Sequence, residues 1–90
     1  MIVRRTVEIC NERGLHARAS AKFVKLASGF DAEVRVGRDG SMVDARSIMG
    51  LMMLAAGIGS SIDIEAEGPD AQAAADALAA LVECRFEEER

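Results

Sequence analysis

Asn11-Glu12-Arg13-Gly14-Leu15-His16-Ala17-Arg18-Ala19-Ser20 is the stretch on which the reading of this chain turns. Before it, Ile2 to Ile9 alternates imperfectly, with Val3, Val7 and Ile9 on one side and Arg4, Thr6 and Glu8 on the other. That period predicts a half-buried strand. After it, Ala17 to Ala27 holds good helix formers and neither Gly nor Pro. The residues between, Asn11 to Gly14, read as a loop, and Gly14 allows a turn that other residues resist. The loop therefore delivers His16, the only histidine of the chain, to the start of a helix.

That position has chemical consequences. The first N–H groups of a helix have no internal partner, and the dipole there favours negative charge. A phosphate at such an end is held by those groups. The same field disfavours a positive ring, which leaves the imidazole a nucleophile. Arg18 is two residues on, within reach of a group attached to His16. A charge-assisted hydrogen bond contributes roughly 1.5–3 kcal/mol, and the dipole roughly 0.3–1 kcal/mol more. A capping histidine beside an ordinary surface arginine has the same spacing, so the spacing alone leaves both readings open.

Downstream, Leu15, Ala19, Phe23 and Leu26 fall on one face of the helix. Arg18, Lys22 and Lys25 form a basic stripe beside His16, and Gly29 is placed to stop the helix. Ala32 to Val36 alternates, Asp39-Gly40 is a turn pair, and Ser41 to Asp44 follows, which predicts a hairpin. Ser47 is a good N-cap for a short helix from Ile48 to about Ala56, with Gly57 as its stop. That helix is apolar all round. A small domain cannot bury every face of it, so part of Ile48, Met49, Met52 and Met53 is expected to stay exposed as an adaptable docking surface. Ile62 to Glu67 alternates as a fourth strand with an acidic outer face. Gly68-Pro69-Asp70 opens the last helix, with Asp70 as its cap and Ala71, Ala74, Ala75, Leu78, Leu81, Val82 and Arg85 along one face. Phe86 to Arg90 reads as a charged, frayed end. The order β-α-β-β-α-β-α predicts an α+β two-layer architecture, and the whole chain, 1–90, reads as one domain.

Composition narrows the function classes. The three Phe are the only aromatic residues, which argues against base-stacking nucleic-acid modules. The net charge of −4 is unevenly spread. Residues 1–47 carry nine Lys/Arg and six Asp/Glu, and residues 48–90 carry two and nine. The half with His16 is thus basic and suits an acidic protein partner, and no nucleic-acid partner is expected. Cys10, Cys84 and a single His make no zinc set, so no metal or cofactor is expected. Both cysteines read as reduced, buried thiols of a cytoplasmic protein. Met1 to Arg5 leads into no signal-type apolar run, and the near-apolar run from Ile48 to Ile58 is too short to cross a bilayer.

Gly14-Leu15-His16-Ala17-Arg18 resembles the active-site signature of HPr, the histidine-containing phosphocarrier family of the bacterial phosphotransferase system. Arg46-Ser47-Ile48-Met49-Gly50-Leu51-Met52 resembles that family's regulatory serine region, and the two motifs stand in register along the chain. One position departs: the family usually has proline after the arginine, and here it is Ala19. Proline there pre-sets the first helical turn.

The resemblance implies an open-faced two-layer β-sandwich with a four-stranded antiparallel sheet and three helices on one face. It also implies a phosphocarrier. His16 would take a phosphoryl group at Nδ1 from Enzyme I and pass it to an EIIA-type protein. Arg18 would stabilise the phosphate, and Ser47 would be phosphorylated by an HPr kinase/phosphorylase. Lys22, Lys25, Ile48, Met49, Met52 and Met53 would form the docking face of a monomeric carrier. The nitrogen-related branch, which uses an HPr-like carrier to control other proteins, is the alternative to sugar transport. Two other classes fit less well. A histidine-nucleophile hydrolase normally recruits a second histidine or another acid. An acyl carrier would be a helical bundle, against the alternating segments found here.

Overall fold

The computed structural model describes residues 2–90. Four strands, β1 (Ile2–Glu8), β2 (Glu33–Arg38), β3 (Ser41–Asp44) and β4 (Ser61–Glu67), form one sheet in the order β1-β4-β2-β3. Every pairing is antiparallel. Three helices, α1 (Ala17–Ala27), α2 (Ile48–Met53) and α3 (Ala71–Glu83), complete an open-faced sandwich. Because β4 pairs antiparallel with both β1 and β2, those two strands run the same way. A tight hairpin cannot join them, so the connection crosses over through α1. The same logic places α2 between β3 and β4. β2 and β3, true antiparallel neighbours, are joined at Asp39-Gly40, both at positive φ as a type I′ turn requires.

The period-2 pattern sorts the sheet faces as predicted. Val7, Val34, Val36, Ile62, Ile64 and Ala66 are buried against the helices. On the open face, Glu65 is paired with Arg4 and Arg35, and Thr6 Oγ1 donates to Asp63 at 2.6 Å. α1 buries Ala19, Ser20, Phe23 and Ala27. Ala27, not Leu26, thus completes its inner face, and Leu26 stays half-buried. α3 lays Ala71, Ala74, Ala75, Leu78, Ala79 and Val82 on the sheet. Ala79 joins that set in place of Leu81, and Arg85 points to solvent. The small side chains let the helix approach closely.

Several boundaries differ from the sequence expectation. α2 ends at Met53, with Leu54 as its C-cap. The left-handed residue that follows is Ala55, so Gly57 is not the stop. The cause is packing: Leu51 and Leu54 are buried, and the chain must turn after them to bring Ala56 into the core. Ser47 does cap α2, its Oγ accepting from Gly50 N at 2.9 Å. Asp70 sits at the N-cap of α3 but makes no side-chain cap. Its carboxylate instead accepts from Asp31 N at 2.8 Å, tying α3 to the turn before β2. Gly29 follows the Ser28 C-cap without adopting positive φ. Cys10 is half-buried and Cys84 exposed, both as free thiols, so neither is the core thiol expected.

The largest difference is at the C-terminus. Phe86 to Arg90 is not frayed. Arg85, Phe86 and Glu87 form a tight turn with all three at positive φ. A left-handed non-glycine residue costs roughly 1–2 kcal/mol. Phe86 is fully buried, and full burial of such a side chain contributes roughly 1.5–3 kcal/mol. Lys22 Nζ donates to Phe86 O at 2.8 Å, and Glu12 N donates to Arg90 O at 2.9 Å. The turn aims the rest of the tail back across the start of α1.

Candidate functional site

The site is built where three segments meet: the loop after β1, the first turn of α1 and the C-terminal tail. Gly14 has φ +65°, and a Cβ there would lie 2.5 Å from Ala56 O. Only a glycine lets the loop pass so close to the segment after α2. Leu15 N then donates to Ala56 O at 3.0 Å. The loop that carries the first motif is therefore joined to the segment that follows the second. Asn11, fully buried, braces the loop from inside, its Nδ2 donating to Gly14 O at 2.9 Å.

His16 occupies the N-cap of α1 with extended backbone (φ −73°, ψ 177°) and no side-chain cap bond. Its carbonyl accepts from Ser20 N at 2.9 Å, so the first turn forms with Ala19 where proline would otherwise pre-set it. Ala19 is fully buried. The imidazole is largely covered. Its side chain is 16% exposed, and Nε2 meets the Glu88 carboxylate. An ionised carboxylate only accepts. Nε2 therefore carries the proton, and in the neutral ring Nδ1 is left with its lone pair.

Glu88 is the residue that the sequence reading missed. Its Oε1 accepts from Asn11 Nδ2 at 3.0 Å while Oε2 faces His16. Burial pushes its carboxyl up, but hydrogen bonds from Asn11 and His16, with the charges of His16 and Arg13, hold it below its ordinary 4.5. Arg18, in the first turn of α1, is exposed and lines a depression of about 330 Å³ together with Glu12, Arg13, Glu88, Glu89 and Arg90. Three arginines and three carboxylates from the loop, the helix and the tail thus border one hollow, which Glu88 links to His16.

The other predicted residues are placed as follows. Lys22 is engaged with the tail, at Phe86 O and near Glu87, rather than standing free in a basic stripe. Lys25 is exposed farther along α1 and lines a groove between α1 and α3. Ile48, Met49, Met52 and Met53 are exposed, Met49 at 72% and Met53 at 79%, as is Ile58 after the helix. Ser47, at the edge of that patch, is half-buried. Among the described residues no helix is long and apolar enough to cross a membrane.

Comparison with known proteins agrees with this geometry. Residues 3–84 match the family model described as the PTS HPr component phosphorylation site. The phosphocarrier protein HPr of Cupriavidus necator is 55% identical over 87 residues, covering 97% of this chain and 98% of that one. The phosphocarrier protein NPr of Shewanella violacea is 46% identical, covering 96% and 94%. A crystal structure of HPr from Thermoanaerobacter tengcongensis superposes with a TM-score of 0.93 at 43% identity, covering 98% of this chain and 99% of that one. With its glycine-led histidine at a helix start, its capped serine helix and its β-α-β-β-α-β-α sandwich, this chain belongs to the HPr family of phosphotransferase-system phosphocarriers.

Proposed function

We propose that this chain relays a phosphoryl group, with His16 as acceptor and donor. The observation that carries the reading is the His16 ring at the N-cap of α1, with Nε2 taken by Glu88 and Nδ1 free to attack. In the forward step the Nδ1 lone pair bonds to the phosphorus of a phosphohistidine on Enzyme I. The donor N–P bond breaks, and its electron pair returns to the donor ring. The phosphoryl oxygens then sit at the N-terminus of α1, where unpaired N–H groups and the dipole favour them. Arg18 supplies a guanidinium on the same turn. The reverse chemistry passes the group to a histidine of an EIIA-type protein. A small apolar patch of Ile48, Met49, Met52 and Met53, beside a basic N-terminal half, suits docking on such partners.

Ser47 is the regulatory position in this reading. A phosphate on its hydroxyl, added by an HPr kinase/phosphorylase, would place nearly two negative charges at the edge of the docking patch and repel an acidic partner. The likeness to an NPr supports a second reading, in which the same transfer serves regulation in the nitrogen-related branch rather than sugar uptake. In both, the carrier acts as a cytoplasmic monomer without cofactor. The test is intact mass after incubation with phosphoenolpyruvate and a cognate Enzyme I. Wild type should gain one acid-labile phosphoryl group, and His16→Ala none. Equal labelling of both would overturn the assignment of His16.

A further inference from the structure

The C-terminal tail has no part in the transfer just described, yet it is held against the nucleophile at several points. Phe86 anchors it in the core, and Lys22 Nζ and Glu12 N bind its carbonyls at Phe86 and Arg90. The two oxygens of Glu88 have separate partners, Asn11 Nδ2 for one and His16 Nε2 for the other. Asn11 also holds Gly14 O, so the residue that orients the carboxylate is the one that braces the loop carrying His16. Three residues at positive φ are tolerated to bring this carboxylate to that ring.

We propose that Glu88 is a positioning residue for phosphoryl transfer, holding the His16 proton on Nε2 throughout the cycle and serving as counter-ion while the ring carries phosphate. The inference rests on the reading of His16 as the phosphoryl acceptor. With the proton on Nε2, the Nδ1 lone pair is always available; with the proton on Nδ1 it is not. When the Nδ1–P bond forms and the donor N–P bond breaks, no proton leaves the His16 ring. The ring then bears phosphoryl at Nδ1 and hydrogen at Nε2, and is formally cationic. The charge lies against the Glu88 carboxylate, which stabilises it. On donation the Nδ1–P bond breaks, its electron pair returns to Nδ1, and the ring leaves as neutral imidazole. Had Nε2 lost its proton, the leaving group would be an imidazolate, a far poorer one. Glu88 touches neither phosphorus nor oxygen of the transferred group, and acts through the ring.

The test compares full-length wild type, Glu88→Gln and Glu88→Ala. Nitrogen-15 NMR of the neutral ring is unambiguous because the chain has one histidine. The Nε2–H tautomer should dominate in wild type and in Glu88→Gln, whose amide oxygen still accepts, and should become a mixture in Glu88→Ala. Phosphoryl acceptance from phospho-Enzyme I should slow about tenfold in Glu88→Ala, as expected for loss of a charge-assisted hydrogen bond. Glu88→Gln, which keeps the tautomer but not the charge, should shift the equilibrium back toward phospho-Enzyme I by about tenfold. An unchanged tautomer ratio and unchanged transfer in Glu88→Ala would overturn the proposal. So would lower thermal stability with both readouts unmoved, since that makes Glu88 an anchor of the tail alone. Failure of wild type to accept phosphate refutes the carrier reading instead, and the tautomer comparison still tells the two failures apart.

Discussion

Glu88 and His16 lie 72 residues apart in the chain and meet side chain to side chain, the carboxylate on Nε2. The contact covers the ring and selects which nitrogen keeps the proton. It also couples the site to pH. Glu88 is held below its ordinary 4.5 in the folded protein, so unfolding raises its affinity for a proton. Its contribution to stability is complete above about pH 4.5 and is lost as pH falls through the lower folded value. The groups around it are Asn11, His16 and Arg13, with Glu12, Arg18, Glu89 and Arg90 lining the same hollow. Urea denaturation should show wild type losing stability as pH falls below about 4.5 more steeply than Glu88→Gln. Parallel curves would mean that the tail carries no such linkage.

Phe86 decides whether the tail is held. Removing a buried phenyl ring typically costs about 3–5 kcal/mol, and a chain end that can detach should fall at the low end. Phe86→Ala is expected to unfold at lower urea with a loss of about 3 kcal/mol. Amide exchange at Glu12, which is bonded to Arg90 O, should accelerate in the same variant.

Gly14 joins the histidine loop to the segment after α2. Gly14→Ala would place a Cβ 2.5 Å from Ala56 O in a backbone region that alanine avoids. The variant should lose more than about 1 kcal/mol, and amide chemical shifts at both Leu15 and Ala56 should move. Shifts confined to the loop would show the junction to be looser than its geometry.

Ser47 has a structural and a regulatory role that different substitutions separate. Ser47→Ala removes the acceptor for Gly50 N and should cost about 1 kcal/mol in thermal unfolding. Ser47→Asp keeps a capping oxygen and should fold as well as wild type, while accepting phosphate from Enzyme I more slowly. A wild-type rate in Ser47→Asp would remove the regulatory reading.

Met49 is exposed enough that a charge there burdens docking rather than folding. Met49→Glu should leave the melting temperature within the range of ordinary surface changes, about 0.5 kcal/mol, and slow transfer from Enzyme I. A large loss of stability would instead place Met49 in the core.

What short-range physics controls was legible in the residues themselves. Alternation in Ile2–Ile9 and Ile62–Glu67, the helix-forming run after His16, the Asp39-Gly40 turn and the Ser47 cap each act through neighbours within a few residues, and each stands where the pattern put it. From these follow the order of elements, the sandwich and His16 at a helix start. Tertiary structure alone decided what depends on distant partners. Where α2 stops was settled by burial of Leu51 and Leu54, which turned the chain at Ala55 before the glycine that looked like the stop. Lys22 was drawn from its helix face to the carbonyl of Phe86. The tail, Phe86 to Arg90, has the composition of a solvated end, and its one signal was a phenylalanine among charges. A docked tail has no period to read: its place came from burying that ring and pairing Glu88 with His16 and Asn11, partners 72 and 77 residues away.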